Sequence, residues 1–342
     1  MHIVFLACNK NAKLFRKDPS YIYRCENLGS ALRQQGHDVE FIHLKHFRFS
    51  SPDVVVFHRP RMSIRLRLLI LWLKFKGVMV VAEFDDLVFD LDYAEFSPGV
   101  LNNVLSLDKT RGNYARQQDV LGLFDVFTVS TAPLQEHILV LRPERHVIVL
   151  SNAVHHTWRQ KEVGVGRGVD WSHPTITYLP GTKSHDRDFR VFAKGLAKFL
   201  NDYPQVRLQV TGPLQFDLPV RPEQIIRREK VPFSEYHEHI QSAWVNLSPL
   251  ESTPFTRCKS ALKVIEAGAW GKPTLCSPFP DSGRFLGSGA IQVTSDEELY
   301  KELVKLLNPE YYASYVEGLR KKTLALADIN KVAQQFVDHC AR

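Results

Sequence analysis

Residues 245–278 read VNLSPLESTPFTRCKSALKVIEAGAWGKPTLCSP. An apolar run of strand type ends at Leu247 and gives way to a Ser/Pro/Thr loop. From Thr256 to Trp270 apolar residues recur at helical spacing. Gly271, Lys272 and Pro273 stop that segment, and a second short apolar run covers Thr274 to Ser277. Strand, helix and strand in so short a stretch form a βαβ unit, whose strands lie parallel. Lys259, Lys263 and Glu266 interrupt the apolar pattern at i, i+4 and i+7. On one continuous helix they share a face, beside the apolar positions Leu262, Val264, Ile265 and Ala269.

The same alternation runs outward in both directions. Before residue 151, strand-type runs cover 2–7, 39–44, 53–57, 78–83, 124–130 and 146–150, with helical spacing over 23–35, 62–76, 112–122 and 133–141. Gly36 and Gly77 follow two of these helices as stops. After residue 174, strands are expected over 175–179, 206–211, 224–230, 243–247, 274–277 and 291–294. Helices are expected over 188–201, 234–242, 256–270 and most of 295–342. Between them, 151–174 is polar, glycine-bearing and without period, which marks a linker. The expected fold is α/β: two Rossmann-like, doubly wound parallel-sheet domains facing a cleft. They are placed at 1–152 and 174–325, with a linker at 153–173 and a C-terminal helix at 326–342 packing back on the first domain. Ligands of such sheets bind beyond the carboxyl ends of the strands, where strand order switches. The cleft is therefore the expected site of chemistry.

Composition bounds the function classes. The chain has 342 residues, enough for two domains, and is 44% hydrophobic and 24% charged, as globular chains are. Its net charge of +7 suits a phosphate-bearing ligand or an anionic membrane surface. The basic residues are dispersed and no nucleic-acid-binding motif is present, so no nucleic-acid partner is expected. Cys8, Cys25, Cys258, Cys276 and Cys340 form no CxxC pair, which points to reduced thiols and to no metal site. The opening MHIVFLACNK lacks the marks of a signal peptide. The most apolar run, Leu68 to Leu73, is far short of the ~20 residues a membrane span needs. A buried amphipathic helix is the first reading there. Contact with a membrane surface, through Arg65, Arg67, Lys74 and Lys76, is the second. The chain is expected in the cytoplasm, with the inner face of the cytoplasmic membrane as its peripheral contact.

Four stretches carry candidate site residues. At the start of the 256–270 helix, Thr256 and Ser260 bring hydroxyls beside free N–H groups, and Arg257 and Lys259 add charge suited to an anion. Glu266 could accept from a pair of hydroxyls such as ribose presents. A solvated Lys263–Glu266 ion pair, worth a few tenths of a kcal/mol, is the alternative. Residues 178–189, YLPGTKSHDRDF, follow a strand. Gly181 and Thr182 let the backbone approach a phosphate and Lys183 adds charge, unless the loop is a plain turn capped by Asp186 or Asp188. Residues 83–90, EFDDLVFD, end another strand. Asp85 and Asp86 suit a sugar, Mg²⁺ or a general base, against a capping role. His58 closes DVVVFH and could bond a sugar or sit packed in a loop.

Residues 245–278 resemble the donor-binding segment of GT-B glycosyltransferases of the GT4-like (group 1) class. The bacterial surface-polysaccharide branch, with its PLE…F…KS…K…EA…G.P pattern, is the nearest match. YLPGTKSHDRDF resembles that family's G(T)…H.RDF loop, and DDLVFD recurs in the same group. The resemblance implies a GT-B fold. The second domain would hold a nucleotide-sugar donor and the first a glycan or lipid-linked glycan acceptor, with retention of configuration. It implies that Glu266 holds the ribose, and that Arg257, Lys259, Ser260 and Lys263, with the Gly181–Thr182–Lys183 loop, hold the diphosphate or the sugar. Asp85, Asp86, His58 and Lys263 would serve the reaction. No cofactor beyond the donor is expected. Two departures stand out. Residues 9–20, NKNAKLFRKDPS, lack the family's paired glycines, and Cys258 replaces the first acid of the E-x7-E pair, leaving Glu251 as the nearest carboxylate. A non-catalytic nucleotide or glycan binder and a UDP-sugar epimerase-like enzyme are the alternatives.

Overall fold

The apolar runs become the strands of two six-stranded sheets in the computed structural model, which describes residues 1–8, 11–48, 50–161 and 169–340. The first sheet comprises β1 (His2–Ala7), β2 (Asp38–His43), β3 (Val54–His58), β4 (Met79–Phe84), β5 (Val126–Val129) and β6 (His146–Val149), ordered β2-β1-β3-β4-β5-β6. The second comprises β7 (Thr175–Tyr178), β8 (Arg207–Thr211), β9 (Ile225–Arg228), β10 (Val245–Ser248), β11 (Thr274–Cys276) and β12 (Ala290–Gln292), ordered β12-β11-β10-β7-β8-β9. Every pairing within them is parallel. Strand order reverses at β1/β3 and at β7/β10, the doubly wound layout in which ligand sites form. β3 is buried at every residue, because helices cover both sheet faces, and so its sequence shows no alternation.

On one face of the first sheet, the Ile64–Phe75 helix packs Leu66, Leu69, Ile70 and Leu73 against Phe57, Phe84 and Phe124. On the other face, Cys25, Leu28, Ala31 and Leu32 share a core with Ile329, Ala333 and Phe336 of the C-terminal helix, Ile329–Cys340. The Phe336 ring centroid lies 6.3 Å from that of Phe5 on β1. The chain thus leaves the first half near residue 152 and returns near 328. The two passages touch, with the Val154 N–H donating to the Ala327 carbonyl at 3.0 Å. Among the described residues, no helix is long and apolar enough to cross a membrane.

Two expectations are corrected. The 256–270 helix is broken into Pro254–Arg257 and Leu262–Gly268, with residues 258–261 non-helical between them. Phe255 and Cys258 are buried in the first half's apolar cluster, whereas Ala261, Val264 and Ile265 bury in another. One straight helix cannot serve both, and the break lets each piece dock. Lys259 therefore does not share a helix face with Lys263 and Glu266. The 188–201 helix is likewise divided, into Asp186–Arg190 and Ala193–Asp202. Secondly, the 151–174 stretch is not a plain polar linker. Ala153, Val154, His155 and Trp158 are buried, and His156–Arg159 forms a helical turn. Residues 162–168 of that stretch, and Asn9 and Lys10 of the basic 9–20 stretch, lie outside the described residues.

Candidate active site between the two sheets

β3 ends at His58, and the next residue, Arg59, turns with φ 48°, a left-handed conformation that costs a side-chain-bearing residue about 1–3 kcal/mol. Arg59 is held there from both ends. Its backbone N–H donates to the Glu83 carbonyl at 2.9 Å. Its guanidinium donates from Nε to Asp85 Oδ1 at 2.5 Å and from Nη2 to Asp86 Oδ2 at 2.7 Å. The two aspartates that follow β4 are thereby fixed at the carboxyl edge of the first sheet.

Ser20 Oγ donates to Asp85 Oδ2 at 2.6 Å. A hydroxyl has one proton, so the His58 ring, 2.8 Å from the same oxygen, donates from Nε2. His58 is fully buried. Burial drives its pKa down to about 3 against the pull of Asp85, and the ring is neutral at pH 7. Burial also pushes the Asp85 carboxyl up, but the Arg59 charge, with the hydrogen bonds from Arg59 and Ser20, outweighs it and holds Asp85 well below the usual carboxylate range. The chain His58–Ser20–Asp85 therefore ends in a carboxylate. The imidazole addresses the cleft through Ser20, which is half-buried, rather than directly.

The second half meets this cluster. Lys259, in the break between the two helical pieces, donates from Nζ to Asp86 Oδ1 at 2.6 Å. Thr131 Oγ1 donates to the Cys258 carbonyl at 2.9 Å and Asn152 Nδ2 to Ser260 Oγ at 2.7 Å. Lys263 Nζ donates to the Leu179 carbonyl, just past β7, at 2.8 Å. Burial lowers the Lys263 pKa, while Glu266 opposes that shift.

Glu266 is only 6% exposed. Its Oε1 accepts from the Tyr23 hydroxyl at 2.6 Å and its Oε2 from the Tyr236 hydroxyl at 3.2 Å. Burial raises its pKa, and Lys263 and the two phenols resist. The solvated Lys263–Glu266 pair considered above is thus excluded by the burial of the carboxylate. Tyr23 belongs to the π-helical segment Ile22–Glu26 of the first half, so the bond spans the cleft.

Gly181, Thr182, Lys183 and Arg257 are exposed. The Gly181 carbonyl accepts from Lys230 Nζ at 3.0 Å, and Thr182 Oγ1 lies 2.6 Å from Ser184 Oγ. Asn102 ties this loop to the first half. Its Nδ2 donates to the Ser184 carbonyl at 2.8 Å, and its Oδ1 accepts from the Arg187 N–H at 3.0 Å. Glu251 accepts from Arg187 Nε at 2.8 Å. The structure therefore brings Asp85, Asp86, Lys259, Ser260, Lys263 and Glu266 to one interface, with His58 behind Ser20. Gly181, Thr182 and Lys183 stand on its neighbouring loop. Ser20, Tyr23, Arg59, Asn102 and Tyr236 join the site without having been singled out. Only Arg59, next to His58 at a strand end, carried a local signal.

No family model matches this chain, and no curated protein matches it. Among solved structures, Anabaena HepE in complex with UDP-glucose aligns with a TM-score of 0.64 at 12% identity, covering 100% of this chain and 99% of that one. TarM aligns with a TM-score of 0.61 at 8% identity, covering 87% of this chain. The aligned part is only 56% of TarM, so this chain matches little more than half of that protein. S. aureus MnaA with UDP aligns at 0.53 and 12% identity, covering 99% and 96%. These likenesses establish a fold of the GT-B type, two Rossmann-like domains.

Proposed function

We propose that this protein is a glycosyltransferase that moves a sugar from a nucleotide-sugar donor to a glycan or lipid-linked glycan acceptor. The carrying observation is that the segment bearing Lys259 and Glu266 meets the first half twice, Lys259 at Asp86, which Arg59 also holds, and Glu266 at Tyr23, with Lys263 on the same helical piece as Glu266. A diphosphate leaving group needs fixed cations, and an acceptor hydroxyl needs a carboxylate beside it. The two sets stand on opposite halves, as transfer between two bound substrates requires. Solved structures of the same fold hold UDP and UDP-glucose, which supports a nucleotide-sugar ligand.

In this reading Glu266 takes the ribose hydroxyls, and Lys259 and Lys263, with exposed Arg257, neutralise the diphosphate. The Gly181–Thr182–Lys183 loop and Ser260 complete the donor side. Asp85 and Asp86 orient the acceptor hydroxyl, and His58 acts through Ser20 to hold Asp85 in place. Retention of configuration and a role in bacterial surface-polysaccharide assembly, in the manner of the GT4-like class, are the finer parts of the proposal. A UDP-sugar epimerase-like activity is the second reading, favoured by a likeness, with a TM-score of 0.55 at 13% identity, to a putative UDP-N-acetylglucosamine 2-epimerase from Listeria monocytogenes.

A thermal-shift panel of UDP, GDP, dTDP, ADP and CMP compounds tests the donor base. Incubating the stabilising donor with and without glycan then separates the readings. A transferase releases nucleoside diphosphate faster with acceptor, whereas an epimerase converts the donor without any. No shift with any nucleotide would overturn both.

A further inference from the structure

Two arginines at the carboxyl edge of the first sheet have no acid to answer them. Strand order in that sheet switches between β1 and β3, where ligands of this layout bind. Arg61 stands at the switch. It lies just past β3, and its charge reaches the Cys8 thiol just past β1, where it resists the upward push of burial. The next residue, Met62, donates its N–H to the Arg116 carbonyl at 2.8 Å. That bond fastens the loop to the Leu107–Leu121 helix and brings Arg116 alongside.

The charges of the neighbouring cluster are already matched. Arg59 pairs with Asp85 and Asp86, and Lys259 with Asp86. Arg61 and Arg116 are additional, and among the described residues neither forms an ion pair. The Arg116 guanidinium donates only to neutral oxygens, the Gly112 carbonyl at 3.3 Å and Asn113 Oδ1 at 2.8 Å. Burial first, and then the charges of Arg116 and Arg59, lower the Arg61 pKa, so the charges around it are cations. Both side chains remain open to solvent. Guanidinium groups present planar sets of N–H donors that suit a carboxylate or a phosphate, and one anion between the two would turn a repulsion into a pair of ion pairs.

The same helix leaves room beside them. Leu91, Asp92, Arg111, Gly112 and Ala115 line an open pocket of about 540 Å³, within the range of ligand sites. Glycine disfavours a helix interior. Yet a Cβ on Gly112 would meet nothing within 4 Å. Packing does not ask for this glycine, whereas an open pocket does. On the inner side of the helix, the buried Tyr114 hydroxyl finds no hydrogen-bond partner among the described residues, with Ser97, Asp86 and Arg59 as its polar neighbours.

We propose that the acceptor is an acidic glycan, and that Arg61 and Arg116 bind its anionic group, a uronate carboxylate or a sugar phosphate, beside Asp86. The inference rests on the reading of the first half as the acceptor side, and it adds the acceptor's chemistry. A neutral glycan of the same shape leaves both arginines unmatched, so the pair selects against it.

A glycan array tests it. The array carries oligosaccharides that are neutral, that contain glucuronate or galacturonate, or that contain sugar phosphodiesters. The labelled full chain is applied with and without the nucleotide that stabilises it most. Acidic glycans should retain the protein and their neutral counterparts should not, and the two acidic classes separate carboxylate from phosphate. Arg61→Gln/Arg116→Gln should weaken that retention roughly tenfold or more. Lys301→Gln/Lys305→Gln, an equal loss of charge on the Asp296–Leu306 helix of the second half, should leave it intact. Retention by neutral glycans only, or by none, overturns the proposal. So does equal retention of the Arg61→Gln/Arg116→Gln protein, or an equal loss in the Lys301→Gln/Lys305→Gln control. Melting temperature and its rise with nucleotide should be unaltered in both variants. A protein that responds to nucleotide but ignores acidic glycans removes this inference alone, whereas one that responds to no nucleotide removes the glycosyltransferase reading beneath it.

Discussion

Replacing Tyr23 with phenylalanine removes one oxygen and keeps the ring. The ring's edge-on neighbours, Phe233 at 5.5 Å and Trp158 at 6.5 Å, are retained, so little apolar contact is lost. What disappears is the 2.6 Å hydrogen bond to Glu266 Oε1, made where both side chains are buried. A hydrogen bond to a charged group is worth about 1.5–3 kcal/mol, and an acceptor left unpaired in the interior adds to the loss. Two features limit it. Tyr236 still donates to Oε2 at 3.2 Å, and the carboxyl, whose pKa burial already raises, can take up a proton. Urea unfolding at pH 7 should therefore show Tyr23→Phe less stable by about 1.5–3 kcal/mol. Nucleotide affinity should move the other way. If Glu266 takes the ribose, the incoming hydroxyls must displace the Tyr23 phenol, and a protein without it is spared that step. The matching nucleotide should then bind Tyr23→Phe roughly tenfold more tightly, at about 1.4 kcal/mol per decade. Glu266→Gln should bind it more weakly and also unfold earlier. Calorimetric titration decides. Unchanged stability would mean that the Tyr23–Glu266 bond contributes nothing. Lowered stability with weakened nucleotide binding would show that Tyr23 builds the ligand site rather than competing for it.

Three further outcomes are expected. Asp85→Asn should cut turnover much more than donor affinity, measured by steady-state rates against calorimetric Kd; equal rates would return Asp85 to a purely structural role. Gly195→Ala should destabilise the chain by about 1–3 kcal/mol, since a Cβ there would stand 2.9 Å from the Asp296 Cα, which is backbone and cannot swing aside; a denaturation midpoint matching the wild type would contradict that close approach. Burial depresses both His58 and His155 to a pKa of about 3, below the ~6.5 of an unfolded histidine. Between those values the unfolded chain binds more protons, so these two groups' contribution is intact above pH 6.5 and declines as pH falls towards 3. The slope is up to about 2.7 kcal/mol per pH unit for the pair. Unfolding curves at several pH values should flatten in His58→Gln/His155→Gln, and an unaltered slope would dismiss the burial argument.

The sheets were legible because the central strands, β3 and β10 above all, are short runs buried along their whole length, and that property is written locally. VVVFH and the strand ahead of DDLVFD could be placed within a residue or two of their bounds. The break at residues 258–261 was not legible. Phe255 and Cys258 occupy positions that suit a continuing helix, and only the presence of the other half's core makes them turn away. The partners of Glu266 were hidden for a similar reason. Tyr23 lies far away in sequence, in a segment whose apolar spacing gives no hint that one phenol crosses the cleft. Asp85 and Asp86 were visible as an acidic pair, but their clamp by Arg59 depends on a left-handed turn that no glycine announces. The buried residues of 151–159 were masked by the polar residues around them.

The return of the Ile329–Cys340 helix to the first sheet sets an order on biosynthesis. Strands β1 to β6 precede the second half in the chain, but the face bearing Phe5, covered in part by Leu28, Ala31 and Leu32, stays incomplete until the Ile329–Cys340 helix has been made. Ile329 and Phe336 fill that face, each worth about 1.5–3 kcal/mol when buried. The second half can therefore close its own core before the first half can close its own. The first half therefore finishes folding after the second half that follows it in the chain, and until then it carries an incompletely covered apolar surface of the kind that chaperones hold.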